Sequence, residues 1–124
     1  MSDAPLVLVV DDEDNVRAIA EAMLTRSGYR VALAADGVEA LTLHERNAGE
    51  VRAVLLDWTL PLLDGEGVLR ELRRRDAALP VILCSGAEVP AAGLQGVPGA
   101  APLVLPKPYR MAQLLSTVAQ AVGR

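Results

Sequence analysis

The chain has no phenylalanine, one tryptophan and two tyrosines, so aromatics make up 2% of its 124 residues. Its core must therefore be aliphatic, built from Leu, Val, Ile and Ala. At 52% hydrophobic and 23% charged, the composition is globular and excludes intrinsic disorder. A single cysteine rules out an internal disulfide. Cys84 sits in the apolar run "VILC" and reads as a buried reduced thiol, with metal binding or nucleophilic chemistry as the alternative. No apolar run approaches the roughly 20 residues of a membrane span. "MSDAPLVLVVDDED" lacks the basic n-region of a signal peptide, so a cytoplasmic protein without membrane insertion is expected. Basic residues do not dominate either. Twelve Lys and Arg face sixteen Asp and Glu, a net charge of −4, which argues against direct nucleic-acid binding. The length fits one domain over residues 1–124.

What is present alternates between two kinds of segment. Five short runs rich in Val and Leu read as strands buried on both faces: "PLVLVV" (5–10), "RVALA" (30–34), "RAVLL" (52–56), "PVILC" (80–84) and "PLVLP" (102–106). Helical spacing lies between them. Val16, Ile19, Ala20, Met23 and Leu24 form one stripe, and Val68, Leu69 and Leu72 a shorter one. Met111, Leu114, Leu115, Val118, Ala119 and Val122 form the clearest stripe. Asp36 is placed to cap the second helix, Gly28 to end the first and Gly49 to end the second. Residues 88–102 carry Pro90, Gly93, Gly96, Pro98, Gly99 and Pro102, which leave at most a short fourth helix. Five β-α units predict an α/β fold, a parallel sheet with helices on both faces and right-handed crossovers.

The polar residues fall at strand ends. The first strand stops at Asp11 and Asp12, the third runs into Asp57, the fourth ends at Ser85 and the fifth at Lys107. In an open parallel sheet these C-terminal ends share one edge, where ligands bind. Two carboxylates about 4 Å apart repel by roughly 4 kcal/mol at an effective dielectric near 20, or about 3 pKa units. Three of them take up protons or attract a cation, and a hard divalent ion such as Mg²⁺ suits oxygen ligands. Asp11 and Asp12 taken alone also fit helix capping. Glu13 and Asp14 suit a helix start, where the dipole favours negative charge.

With these residues in order, the sequence resembles the receiver domain of two-component response regulators. The resemblance rests on Asp11-Asp12, "LLDWTLPLLDG" (55–65), "LPVILCSGAE" (79–88) and "LPKPY" (105–109), and it covers essentially the whole chain. It implies a flavodoxin-like strand order 2-1-3-4-5, which is the order of a chemotaxis receiver among known doubly wound folds. It implies that Asp57 is the phosphoacceptor and that Mg²⁺ is held by Asp12, Asp57 and the backbone carbonyl of Thr59, with Asp11 acting through water. Lys107 would pair with the phosphoryl group and Ser85 would turn its hydroxyl onto it. The backbone N–H groups of Trp58 and Gly86 would complete the anion cradle. The Lys107-Pro108 peptide is expected to be cis. The implied partner is a histidine kinase or a histidine phosphotransfer protein, with a downstream protein target. The domain would catalyse its own phosphorylation and dephosphorylation while acting chiefly as a switch.

Some positions depart from the family pattern. Thr59 and Ala87 border the path of hydrolytic water, and Ala87 cannot orient it, which predicts slow unaided dephosphorylation. Val104 replaces the aromatic switch residue usual before the lysine, and Tyr109 reads as packing. A poor fourth helix makes the chain similar to receivers of hybrid sensor kinases, stand-alone or excised. Pro61 and the Asp64-Gly65 pair read as a turn, with Asp64 a helix cap. "RELRRRD" (70–76) reads as a solvated helix face, or else a partner patch. His44 reads as an exposed bystander, or else a phosphorylated histidine. A haloacid-dehalogenase-type phosphatase would need an Asp where Thr59 stands, and a flavin binder would not place "DDEDN" at a phosphate. A pseudo-receiver, binding partners without phosphorylation, is the alternative function. Such proteins usually lose an acid or the lysine, and this chain keeps both.

Overall fold

The computed structural model describes residues 4–60, 64–86 and 94–123. Five strands are β1 (Leu6–Val10), β2 (Arg30–Ala34), β3 (Val51–Asp57), β4 (Val81–Ser85) and β5 (Leu103–Pro106). Four helices among the described residues are α1 (Asp14–Arg26), α2 (Gly37–Arg46), α3 (Gly65–Arg75) and α4 (Met111–Val122). All strand pairs are parallel and the order is β2-β1-β3-β4-β5, as the resemblance implied. The central strands β1, β3 and β4 are buried on both sides, which explains their unbroken Val/Leu runs.

Period-two alternation divides the core. Leu8, Val10, Val54, Leu56 and Leu83 face Ala40 of α2 and Val68, Leu69 and Leu72 of α3. Val7, Val9, Leu55, Ile82 and Leu105 face Ala20 and Leu24 of α1 and Leu114, Val118 and Val122 of α4. Asp36 caps α2 by accepting from the Glu39 N–H at 2.8 Å, and Asp64 caps α3 through the Gly67 N–H at 2.9 Å. Gly28 follows the end of α1 with φ +92°. α2 stops earlier than expected, at Arg46, because the Asn47 side chain donates to the Leu43 carbonyl at 2.8 Å. Gly49 belongs to the turn that follows.

Three further expectations are corrected. Ile19 is 53% exposed, because α1 meets the sheet through the buried Ala20 and Leu24, with Met23 partly buried beside them. His44 is buried between α2 and α3, where Arg75 Nη1 approaches its Nδ1 at 3.5 Å. Arg73 is buried too, so "RELRRRD" is only partly a solvated face. Tyr109 packs against the α1/α4 core as expected. Pro61, Ala87 and most of the expected fourth helix lie outside the described residues. From Gln95 to Pro102 the chain runs in turns and irregular backbone.

Candidate phosphoacceptor and metal site

Asp11 follows β1 and is held by the fold at every polar atom of its backbone. Its N–H donates to the Ala34 carbonyl at 3.1 Å and its carbonyl accepts from Arg17 Nη1 at 2.7 Å. Its side chain is buried, with Oδ1 accepting from the Glu13 N–H at 2.9 Å. Asp12 beside it is exposed. Glu13 precedes α1 and Asp14 opens it, pairing with Arg17, so these two are rim and helix-start charges.

Asp57 ends β3. The pairing of Asp57 with Cys84 in the β3–β4 ladder brings Ser85 and Gly86 to the same edge of the sheet. Ser85 is buried and Gly86 exposed. The Lys107 N–H donates to the Ser85 carbonyl at 2.8 Å, so β5 delivers the lysine to that edge as well. The following peptide, Lys107-Pro108, is cis. Lys107 Nζ lies 2.9 Å from Asp11 Oδ2 and 3.4 Å from Asp57 Oδ2.

Gly65 allows the loop after Asp57 to close. Its N–H donates to the Trp58 carbonyl at 3.1 Å. A Cβ at Gly65 would lie 2.6 Å from both the Trp58 Cα and its carbonyl oxygen, a distance no side chain tolerates.

Electrostatics follow from this crowding. Burial raises the Asp57 carboxyl above the usual carboxylate range, and the negative Asp11 adds to it. The Thr59 N–H and Lys107 pull the other way and do not prevail. Burial also works against the Lys107 ammonium, but its hydrogen bond to Asp11 and the charges of Asp11 and Asp57 outweigh it and raise its pKa. Burial pushes the Cys84 thiol up to about 12, which leaves it an inert core residue. Burial likewise pushes Tyr109 up to about 12.

Asp11, Asp12 and Asp57 each offer a carboxylate oxygen within 4.8 Å of the others. Lys107 bridges two of these carboxylates, leaving the exposed Asp12 without a cationic partner among the described residues and the cluster with net negative charge. Such an all-oxygen, partly open donor set fits a hard divalent cation that keeps some of its water.

The structure thus gathers Asp11, Asp12, Asp57, Ser85, Gly86 and Lys107 at one sheet edge. It differs over one anion donor. The Trp58 N–H is engaged by the Cys84 carbonyl at 2.9 Å, whereas the Thr59 N–H points at Asp57 Oδ1, 3.1 Å away. The ladder explains this: with Asp57 paired to Cys84, the next N–H still belongs to the sheet. Arg17, which fixes the Asp11 carbonyl, also escaped the sequence reading, since an arginine in a first helical turn carries no distinctive signal. A groove of about 480 Å³ opens beside Lys107, lined by Val16, Ile19, Met23, Pro108 and Tyr109.

This architecture has close counterparts. The family model for the response regulator receiver domain matches residues 7–119. The chain is 39% identical over 123 residues to the transcriptional regulatory protein PrrA of Mycobacterium leprae, covering 98% of this chain and 51% of that protein. It is 40% identical over 125 residues to the sensor kinase CckA of Brucella abortus, covering all of this chain and 13% of that protein. It thus spans about half the length of the curated regulators it matches, and far less of the kinase. Among solved structures, the receiver domain of the hybrid histidine kinase CckA superposes with a TM-score of 0.79 at 34% identity, over 94% of this chain and 98% of that one. The Vibrio cholerae chemotaxis protein CheY4 superposes with a TM-score of 0.84 at 26% identity, over 95% of this chain and 98% of that one. The chain belongs to the response regulator receiver domain family of two-component signalling.

Proposed function

We propose that this domain accepts a phosphoryl group on Asp57 from a histidine kinase or a histidine phosphotransfer protein and switches conformation in response. The observation that carries the reading is the buried Asp57 carboxylate, flanked by the Asp11 and Asp12 carboxylates and faced by the Lys107 ammonium. An Asp57 oxygen forms the new bond to phosphorus as the phosphorus–nitrogen bond of the donor's phosphohistidine breaks, and the leaving imidazole keeps the electron pair. Asp12, Asp57 and the Thr59 carbonyl would hold Mg²⁺, with Asp11 joined through water. Bound there, the ion supplies positive charge that screens the carboxylate from the incoming phosphate. Lys107 pairs with the transferred group as a point charge. The Thr59 and Gly86 N–H groups take its oxygens, and the Ser85 hydroxyl turns to a third oxygen, drawing the end of β4 inward. The exposed apolar groove beside Lys107 offers the donor protein a seat next to the reacting atoms. The net charge of −4 favours a protein target over direct contact with nucleic acid. No helix among the described residues is long and apolar enough to cross a membrane, consistent with a cytoplasmic setting.

The test is incubation with Mg²⁺ and a small phosphodonor, read by intact mass, beside Asp57→Asn. One phosphoryl group is expected on the wild type and none on the variant. No Mg²⁺-dependent adduct, or an equal adduct on both, would overturn the assignment.

A further inference from the structure

Residues 94–102 lead to the start of β5, and of their side chains Leu94 and Val97 pack against the core on the α2/α3 face. Its sequence, "LQGVPGAAP", holds two prolines and two glycines. The two prolines offer no N–H for a ladder and the two glycines no side chain for a core, yet the carbonyls still need donors. The arginines of α3 supply them. Arg70 Nη2 donates to the Gln95 carbonyl at 2.9 Å. One turn further along the helix, Arg73 Nη1 donates to the carbonyls of Pro98 at 3.0 Å and Ala100 at 2.6 Å. Arg73 is only 3% exposed and has no carboxylate bonded to it among the described residues. Its Nε is unsatisfied there as well. Burying a guanidinium on neutral carbonyls is costly, so a specific role is expected of it. Between the two carbonyls sits Gly99, at φ +85°. A Cβ there would lie 2.0 Å from the Ala77 carbonyl oxygen and 2.7 Å from Arg73 Nη1, so the backbone closes directly onto the end of α3.

β5 begins at Leu103, just beyond this clamp. It is a short edge strand, paired among the described residues with β4 alone. Its register places Leu105 in the core, Val104 in solvent and Lys107 at Asp11 and Asp57. A slip of one residue would exchange those faces and carry Lys107 away from the carboxylates. A four-residue edge strand has little of its own to prevent that.

We infer that Arg73 is a positioning residue for the phosphoryl-transfer site: by clamping the Pro98 and Ala100 carbonyls it pins the register of β5 and so holds Lys107 against Asp57. The inference rests on the phosphoacceptor reading above for its functional consequence, but not for its structural one. Arg73 touches none of the reacting atoms and acts through Lys107.

Two measurements test this with Arg73→Met and, as control, Arg74→Met at the exposed neighbour. The first is ligand-free amide exchange. Arg73→Met is expected to speed exchange across residues 103–107 by about tenfold while Arg74→Met leaves it unchanged. The second is the rate of Mg²⁺-dependent phosphoryl uptake from phosphoramidate. Arg73→Met is expected to slow it by about tenfold. In a Lys107→Ala background the same change should alter the rate by less than about twofold, because the group being positioned is gone. A loss of general stability would slow both backgrounds alike, and that result would overturn the inference. So would exchange across 103–107 equal to wild type. If Arg73→Met does not fold, Arg73→Lys decides. Both carbonyls are held by the one nitrogen Nη1, and the lysine side chain is a bond shorter, so its ammonium stops short of that position; residues 103–107 should still exchange faster than wild type, and wild-type exchange overturns the inference. Faster exchange in a chain whose wild type takes up no phosphoryl group overturns the phosphoacceptor reading instead, and the clamp's role in it.

Discussion

At Asp57 the needs of the fold and of the chemistry oppose each other. The proposed role as nucleophile needs an ionised carboxylate, yet this one is buried beside Asp11 at the end of a core strand. Burial, then the Asp11 charge, raise its carboxyl above the ordinary value, so the folded state binds a proton there more tightly than the unfolded chain does. The stabilisation from that proton is fully present below the unfolded pKa and is lost as pH rises through the folded one. At neutral pH the ionised group therefore weakens the metal-free domain. Asp57→Asn keeps the shape and removes the charge, and it is expected to raise the metal-free Tm at pH 7 by a few degrees, where roughly 4 °C corresponds to 1 kcal/mol. The gain should shrink as the wild type is protonated in acid. Thermal unfolding at neutral and acidic pH in the presence of a chelator measures it, and a lower Tm for the variant at pH 7 refutes it. Lys107 keeps Asp11 as a partner in the variant, at 2.9 Å, so no buried ammonium is orphaned.

Between elements, His44 ties α2 to α3. Arg75 Nη1 donates to the Leu41 carbonyl at 3.1 Å and approaches His44 Nδ1 at 3.5 Å, while its Nε pairs with Glu71. Glu45, Arg74 and Asp76 line the same cleft. Burial and the Arg75 charge lower the His44 pKa, and Asp76 opposes them without prevailing. A depressed imidazole contributes stability above its unfolded pKa and loses it as pH falls through the folded one. Urea unfolding should therefore show stability falling as pH drops below the ordinary imidazole value of 6.5, by ~1.4 kcal/mol for each unit separating the two pKa values once both forms are protonated. His44→Gln should flatten that slope, and an unchanged slope in the variant counts against the tie. His44 also shows where sequence reading stops. The five strands were legible because buried parallel strands leave unbroken Val/Leu runs, and α2 and α3 because Asp36 and Asp64 cap them. The site residues were legible because strand ends must share an edge. Ile19, His44 and Arg73 were not. Exposure of Ile19 depends on how α1 tilts onto the sheet, and burial of His44 and Arg73 depends on segments about 30 residues away in sequence that cover them.

Across the whole molecule, two aliphatic cores grip one sheet from opposite faces, and its C-terminal edge is where charge is allowed to collect. Lys107 bridges Asp11 and Asp57 but leaves the trio with an excess of negative charge. That excess is unfavourable in the folded state and diluted in the unfolded chain, where the three side chains are far apart on average. A divalent cation that binds the folded edge and not the unfolded chain must then stabilise the domain by mass action, about 2.7 kcal/mol at one hundred times the dissociation constant. Mg²⁺ is expected to raise the Tm in proportion to the logarithm of its concentration above that constant, and Asp12→Asn to remove most of the increase. Asp12 is exposed and accepts from no backbone N–H among the described residues, so its loss should leave the metal-free fold intact and isolate the effect of the ion. A Tm indifferent to millimolar Mg²⁺, or an equal rise in Asp12→Asn, would show that the three carboxylates do not act as one cation site.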